Sequence, residues 1–334
     1  MSKTVVITGV SGFIGKRIAK EMLDAGYQVH GTVRSDAKAA ETKAALGDTD
    51  SLEIVSLDLL SDVGWTEALA GADYLIHSAS PFPLAQPKNP DDLIRPAVEG
   101  TRRALEAATA AGIKRVVVTS SCVAIYNDKL NATQQSYDET NWSPTGVAYT
   151  SAYDDSKTLA ERFAWEYVEA TDPEMVLSTV NPGAVFGVPV DDNYGSSLEL
   201  VERLIKGQDP VLPDISIPVV GVEDVANKMH RLALEVPEAG GQRLPACAGA
   251  LTMIEMAQIL NDEIPSSKAS TRKAPDFLIK GMAKVMSDMK TVAPRLGKPG
   301  NVSSAHSEKI LGIKLVPAAE TLRASARFLS SMAE

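Results

Sequence analysis

Tyr153 and Lys157 stand four positions apart within Ser151–Ala170, a stretch whose apolar spacing predicts a helix. Residues at that spacing share a helical face, so a phenol and an ammonium can project into one cleft. A nearby positive charge favours phenolate and draws a tyrosine pKa toward the working pH, which is what a general acid/base requires. Tyrosine and lysine meet at this spacing by chance in many helices, and the pair gains its meaning from its surroundings. Val118-Thr119-Ser120-Ser121 closes a β-branched run, which sets two serine hydroxyls at the C-terminal end of a strand. Tyr149, one turn before Tyr153, has Tyr153 rather than a lysine four positions on, and reads as packing or pocket wall.

A second motif supplies a place for a charged ligand. Thr8-Gly9-Val10-Ser11-Gly12-Phe13-Ile14-Gly15 follows the first strand candidate and opens the first helical pattern. There, and only there, backbone N–H groups and a helix N-terminus can face a pyrophosphate. Gly9 permits the tight turn, Gly12 the close approach of phosphate, and Gly15 the packing of helix on strand, with Ser11, Phe13 and Ile14 completing the contact. The second strand candidate is followed by Arg34 and, one helical turn later, by Lys38, where an NAD-binding chain usually carries an acid for the ribose 2′-hydroxyl. A guanidinium matches a 2′-phosphate, and two bases at a helix start run against its dipole, so the cofactor reading is NADP(H). Asp58 and Leu59, after the third strand, are placed for the adenine; Asp58 is equally suited to start a helix.

The elements that must position these residues alternate regularly. Strands are expected at Thr4–Thr8, Gln28–Val33, Leu52–Ser56, Tyr74–Ser78, Arg115–Ser121 and Met175–Val180, and helices at Ile14–Ala25, Ala37–Leu46, Trp65–Leu69, Asp91–Ala111 and Ser151–Ala170. Such alternation implies an α/β fold, a doubly wound parallel sheet of Rossmann type over residues 1–180. After Asn181 proline and glycine become frequent and the remaining helices, near 198–205, 225–234, 253–260, 277–289 and 318–328, are no longer interleaved with strands. Residues 181–334 are therefore read mostly as a smaller C-terminal α/β lobe for substrate, with a segment near 215–235 returning to the first domain.

With these motifs in place the chain resembles the extended short-chain dehydrogenase/reductases, and within them the dihydroflavonol reductase-like NADPH-dependent carbonyl and aldehyde reductases. The resemblance covers essentially the whole chain and includes the Gly-x-x-Gly-x-x-Gly spacing, His77-Ser78-Ala79-Ser80-Pro81, Thr119-Ser120-Ser121, Tyr153-Asp154-Asp155-Ser156-Lys157 and Asn181-Pro182-Gly183-Ala184-Val185-Phe186-Gly187. It implies that Tyr153 protonates a carbonyl oxygen, that Lys157 binds the nicotinamide ribose and tunes Tyr153, and that Ser121, rather than Ser120, stabilises the substrate oxygen. It further implies cofactor contacts from Ser78, Ala79, Ser80, Pro182, Val185 and Ser197, and a pocket of Phe82, Val123, Tyr126 and Tyr149 for a small-molecule carbonyl substrate. Departures narrow the reading. Ala97 stands where many extended members carry asparagine, and Cys122 and Val123 where sugar-nucleotide dehydratases carry acid/base residues. Tyr126 replaces the specificity asparagine of plant flavonoid reductases, which favours simpler aldehydes or ketones. Two other readings are weighed: a nucleotide-sugar epimerase or dehydratase, and a non-catalytic NADP-binding redox sensor, a class that commonly loses the Tyr/Lys pair retained here.

Composition bounds the remainder. The chain is 44% hydrophobic with a formal net charge of −10, which argues for a globular protein and against nucleic acid as a partner. Two cysteines 125 positions apart make no disulfide framework, and four dispersed histidines make no metal site. The absence of a leader or long apolar run favours a cytoplasmic protein without a membrane partner, monomeric or a homodimer formed through the 91–111 and 151–170 helices. Residues 268–298 carry eight bases and two acids, a local +6 that could steer an anionic substrate but is read first as the solvated face of the 277–289 helix, with Leu278, Met282, Val285, Met286 and Met289 turned inward or lining the pocket.

Overall fold

The computed structural model describes residues 2–80, 87, 89–126 and 136–332. Its strands are β1 (Thr4–Thr8), β2 (Gln28–Val33), β3 (Leu52–Ser56), β4 (Tyr74–His77), β5 (Arg115–Thr119), β6 (Val176–Pro182), β7 (Ala184–Phe186), β8 (Ser216–Gly221), β9 (Arg243–Ala246) and β10 (Gly249–Thr252). Seven of them form one sheet in the order β3-β2-β1-β4-β5-β6-β9, and every pairing in it is parallel.

Helices α1 (Phe13–Asp24), α2 (Asp36–Leu46), α3 (Trp65–Leu69), α4 (Asp91–Ala110) and α5 (Ala152–Thr171) connect the first six strands. Val5 and Ile7 of β1 pack on one face with Ile18 and Met22 of α1. Val6 packs on the other with Trp65, Leu105 and Ala164. Because the sheet is covered on both sides, its central strands β1, β4 and β5 are near-continuous apolar runs rather than alternating ones. The sheet order reverses between β1 and β4, which opens a crevice at their C-terminal ends.

The returning segment is divided more finely than the expected 215–235. Ser216–Gly221 belongs to a second sheet, β10-β8-β7. A π-helical stretch, Asp224–Arg231, and the turn Leu232–Glu235 pack on the α1 face of the main sheet, and β9 completes that sheet as its edge. Helix α6 (Gly195–Ile205) and the helices Met253–Glu263 and Ala318–Ser331 enclose a separate core around Phe186, Leu198, Val219, Met256, Leu260 and Leu322.

The expected helix over 277–289 is corrected. It breaks into Asp276–Met282 and Ser287–Val292, with 283–286 closed by a turn in which Met286 N–H donates to the Met282 carbonyl at 2.8 Å. Gly281 weakens the first piece, and pieces this short keep no common apolar face. Leu278, Val285 and Met286 accordingly face solvent, Val285 at 84% exposure, instead of turning inward.

Candidate active site

At the end of β1, Gly9 turns with φ 73°. A Cβ there would lie 2.9 Å from Ala79 Cα, so glycine is what lets the segment after β4 cross the turn. At Gly15 a Cβ would sit 2.3 Å from the Gly9 carbonyl oxygen, which ties the first turn of α1 onto the end of β1. Gly12 is exposed, and among the described residues a Cβ there would meet only the same oxygen, at 3.4 Å, leaving open room on the outer side. Helix α1 has neither a side-chain cap nor an acid in its first turn, so its N–H groups and dipole are available to an anion. Ser11, Phe13 and Ile14, all half-buried, line this turn. Helix α6 starts at Gly195, three residues before its expected start, and a Cβ at Gly195 would lie 3.7 Å from Phe13 Cβ. An ion pair of Lys16 with Asp191 ties the preceding loop to the start of α1, and Ser197 stands half-buried in the first turn of α6.

The two expected cations differ. Arg34 is exposed and carries no hydrogen bond or ion pair among the described residues, whereas the Lys38 ammonium pairs with Glu41 at 2.6 Å. Asp58 accepts the Leu60 N–H at 2.8 Å and closes its own turn, while Leu59 packs against Gly100 of α4. On the other side of the crevice, Thr8 Oγ1 accepts the N–H groups of Ser78 and Ala79 at 3.1 and 3.0 Å. It pairs with His77 Nδ1 at 2.9 Å, and Ser80 follows, half-buried. Burial pushes His77 down to about 3, with the Lys157 charge acting in the same direction. The imidazole is thus a neutral strut, not a proton donor.

Strand β5 ends at Thr119, two residues short of its expected end, and this frees Ser121 to cap a short 3₁₀ turn at Cys122–Ala124. Ser121 Oγ accepts the Val123 N–H at 3.3 Å and faces the Pro182 carbonyl at 3.4 Å. Helix α5 opens with a reciprocal cap: Asp154 N–H donates to Ser151 Oγ at 3.1 Å, and Ser151 N–H to the Asp154 carboxylate at 3.0 Å. Tyr153, held between these two residues, hydrogen-bonds with Ser121. Burial drives the Tyr153 phenol above its usual value, the Ser121 hydrogen bond opposes it, and the Asp154 carboxylate adds to the rise.

Lys157 Nζ donates to the Thr119 carbonyl at 3.1 Å, and desolvation dominates at Tyr153. Burial also lowers Lys157 to about 8, against the pull of Glu161.

Sequence reasoning missed that Glu161. It lies one turn beyond Lys157, so the i, i+4 spacing that marks Tyr153 and Lys157 reaches it too. Its carboxylate is fully buried, pairs with Arg243 at 2.7 Å, and accepts from Ser120, Thr179 and Asn181 at 2.5, 3.0 and 2.7 Å. Ser120 is thereby turned away from Tyr153, and Ser121 is the serine that meets it.

Of the pocket residues, Phe82 lies outside the described residues. Val123 and Tyr126 stand beside Ser121, Tyr149 is half-buried in the loop before α5, Pro182 is at the serine, and the Val185 side chain is packed into the core. The Cys122 thiol donates to the Asn181 carbonyl at 3.1 Å, and burial pushes it well up, so it is no nucleophile. The basic segment is not wholly a solvated face. Arg295 reaches into the site, where its guanidinium donates to Asp154 at 2.9 Å and lies 5.5 Å from the Tyr126 ring centre.

Residues 5–243 match the family described as NAD dependent epimerase/dehydratase. The chain belongs to that family. It is 33% identical to cinnamoyl-CoA reductase 2 of Arabidopsis thaliana over 281 residues, 82% of each chain. To an anthocyanidin reductase of Vitis vinifera it is 30% identical over 285 residues, 80% of this chain and 83% of the other. Among solved structures, the yeast methylglyoxal/isovaleraldehyde reductase Gre2 complexed with NADPH superposes with a TM-score of 0.82 at 27% identity, covering 99% of both chains. The resemblance to the extended short-chain dehydrogenase/reductases is therefore borne out. Among the described residues no helix is long and apolar enough to cross a membrane, and no group of three or more His, Cys, Asp or Glu is placed to hold a metal.

Proposed function

We propose that this protein reduces a small aldehyde or ketone to the alcohol with NADPH, Tyr153 serving as general acid. The observation that carries the reading is the Ser121–Tyr153 hydroxyl pair, which sits with Lys157 at the C-terminal end of β5, beside the switch point that holds the glycine turn. When bound, NADPH supplies the hydride to the carbonyl carbon. Tyr153 delivers the proton to the carbonyl oxygen, Ser121 donates a hydrogen bond to that oxygen as charge develops on it, and Lys157 holds the nicotinamide ribose. The lobe of β7, β8 and β10 supplies the substrate side. The reading is tested by a spectrophotometric comparison of NADPH and NADH across aliphatic, aryl and dicarbonyl compounds. Equimolar alcohol formation with preference for NADPH is expected, and no consumption with any compound would refute it.

Arg34, unpaired among the described residues, is the cation for the 2′-phosphate. Arg34→Ala is expected to weaken NADPH binding by about 1.5–3 kcal/mol, roughly ten- to hundredfold, and to leave NADH nearly unchanged. Fluorescence titration with both dinucleotides checks this. Lys38→Ala, which removes a cation already paired on the surface, is expected to cost less.

Lys157 gives the binding its pH dependence. With its pKa at about 8, the ammonium is present below that pH and lost as pH rises through it. The dissociation constant for NADPH should therefore climb as pH rises through 8. Lys157→Met should bind weakly without this inflection.

A further inference from the structure

We propose that Arg295 is a positioning residue for the reaction: by pairing with Asp154 beside Tyr153, it makes the acid/base group depend on a cation delivered by the C-terminal segment. The proposal rests on the reading of Tyr153 given above.

Asp154 is a compromised position for a carboxylate. It is fixed by the cap of α5, where it accepts the Ser151 N–H at 3.0 Å, it is almost wholly buried, and it directly follows Tyr153. A buried anion there makes ionisation of the phenol harder. Helix capping needs an oxygen at this position but not an uncompensated charge. The compensation comes from 141 positions away in sequence, as a 2.9 Å contact from Arg295 Nη2. The same guanidinium lies over Tyr126, 5.5 Å from its ring centre, and so spans the turn after β5 and the start of α5.

The segment bearing Arg295 is tied down at both ends. Lys273 pairs with Asp214 at 2.6 Å, the Ala274 N–H donates to the Leu212 carbonyl at 2.7 Å, and the Gly297 N–H donates to the Asp214 carbonyl at 2.8 Å. Arg295 is thus delivered by an anchored excursion of the chain. The groups acting on Tyr153 are Ser121, Cys122 and Tyr126 from the turn after β5, and Asp154 from its own helix. Arg295 acts on Asp154 and Tyr126, and Lys157 faces the Thr119 carbonyl.

In the oxidative direction the hydride leaves the carbinol carbon for NADP⁺ and the hydroxyl proton passes to the Tyr153 phenolate. The acid limb of kcat/KM then reports the formation of that phenolate. The test measures this limb with NADP⁺ and the alcohol made from the fastest aldehyde, in the wild type, R295Q, R295K, D154N and R295Q/D154N. R295Q should move the limb upward by about one pH unit, R295K should hold it near the wild type, D154N should move it down, and the double variant should lose the upward shift.

A limb unmoved in R295Q, or an upward shift that persists in the double variant, overturns the proposal, because a merely structural role lowers the rate at every pH without moving the limb. If R295Q does not fold, D154N carries the test alone, and a limb that does not fall overturns it. An inactive Tyr153→Phe beside an unmoved R295Q limb removes only the role of Arg295. An active Tyr153→Phe removes the reading of Tyr153 itself.

Discussion

Tyr153→Phe is expected to lower kcat for carbonyl reduction by about 10²–10⁴-fold while leaving NADPH binding intact. The substitution keeps the ring and removes only the oxygen, so the helix start fixed by Ser151 and Asp154 is preserved. What disappears is the proton donor and its hydrogen bond with Ser121. The phenol is poised as an acid. Burial and the neighbouring carboxylate hold it protonated across the neutral range, which suits donation to an alkoxide forming within reach of Ser121. The same environment makes the reverse reaction demand higher pH, since the phenolate must then accept a proton. Single-turnover measurements with bound NADPH separate this loss from binding. Wild-type turnover in the Tyr153→Phe variant would show that the proton comes from elsewhere.

Arg243→Met is expected to destabilise the fold by about 3–5 kcal/mol, because it strands the buried Glu161 carboxylate without its cation. Arg243 also donates to the Glu139 and Asn141 carbonyls at 2.7 and 2.6 Å, and its guanidinium stacks 3.7 Å from the Trp142 ring centre. The loop before α5 loses its tether at the same time. Urea unfolding should show a lower midpoint at nearly unchanged slope. Converting Glu161 as well, to Gln, removes the orphaned charge, so the double variant should be more stable than Arg243→Met alone. A double variant whose losses simply add would mean that the two residues do not act as a pair.

How much of this was legible depends on where each contact originates. β1, β4 and β5 were readable because they lie inside a sheet buried on both faces and their apolar runs are nearly uninterrupted. The glycine turn was readable because Gly9 and Gly15 need a missing Cβ at fixed offsets from one strand end, with Gly12 completing the spacing between them. β7, β9 and β10 left no such trace. β9 contains Pro245 and β10 opens on Gly249, residues that speak against a strand; β9 is tolerated because it lies at the sheet edge, where the missing proline N–H need not pair. At the site, Ser121, Tyr153 and Lys157 carry local spacing, and Glu161 extends it by one turn. Arg243 and Arg295 carry none, since they meet their carboxylates across 82 and 141 positions. No periodicity reports a salt bridge made by tertiary folding.

The central claim, hydride transfer to a carbonyl with Tyr153 as acid, is tested most directly with NADPH deuterated at the transferring position and an aldehyde from the panel. The alcohol should carry one deuterium on its carbinol carbon for each NADPH oxidised, and Tyr153→Phe should lose this transfer while still binding the dinucleotide. Recovery of the deuterated NADPH unchanged across the panel, with a nucleotide-sugar epimerised or dehydrated instead, would contradict it.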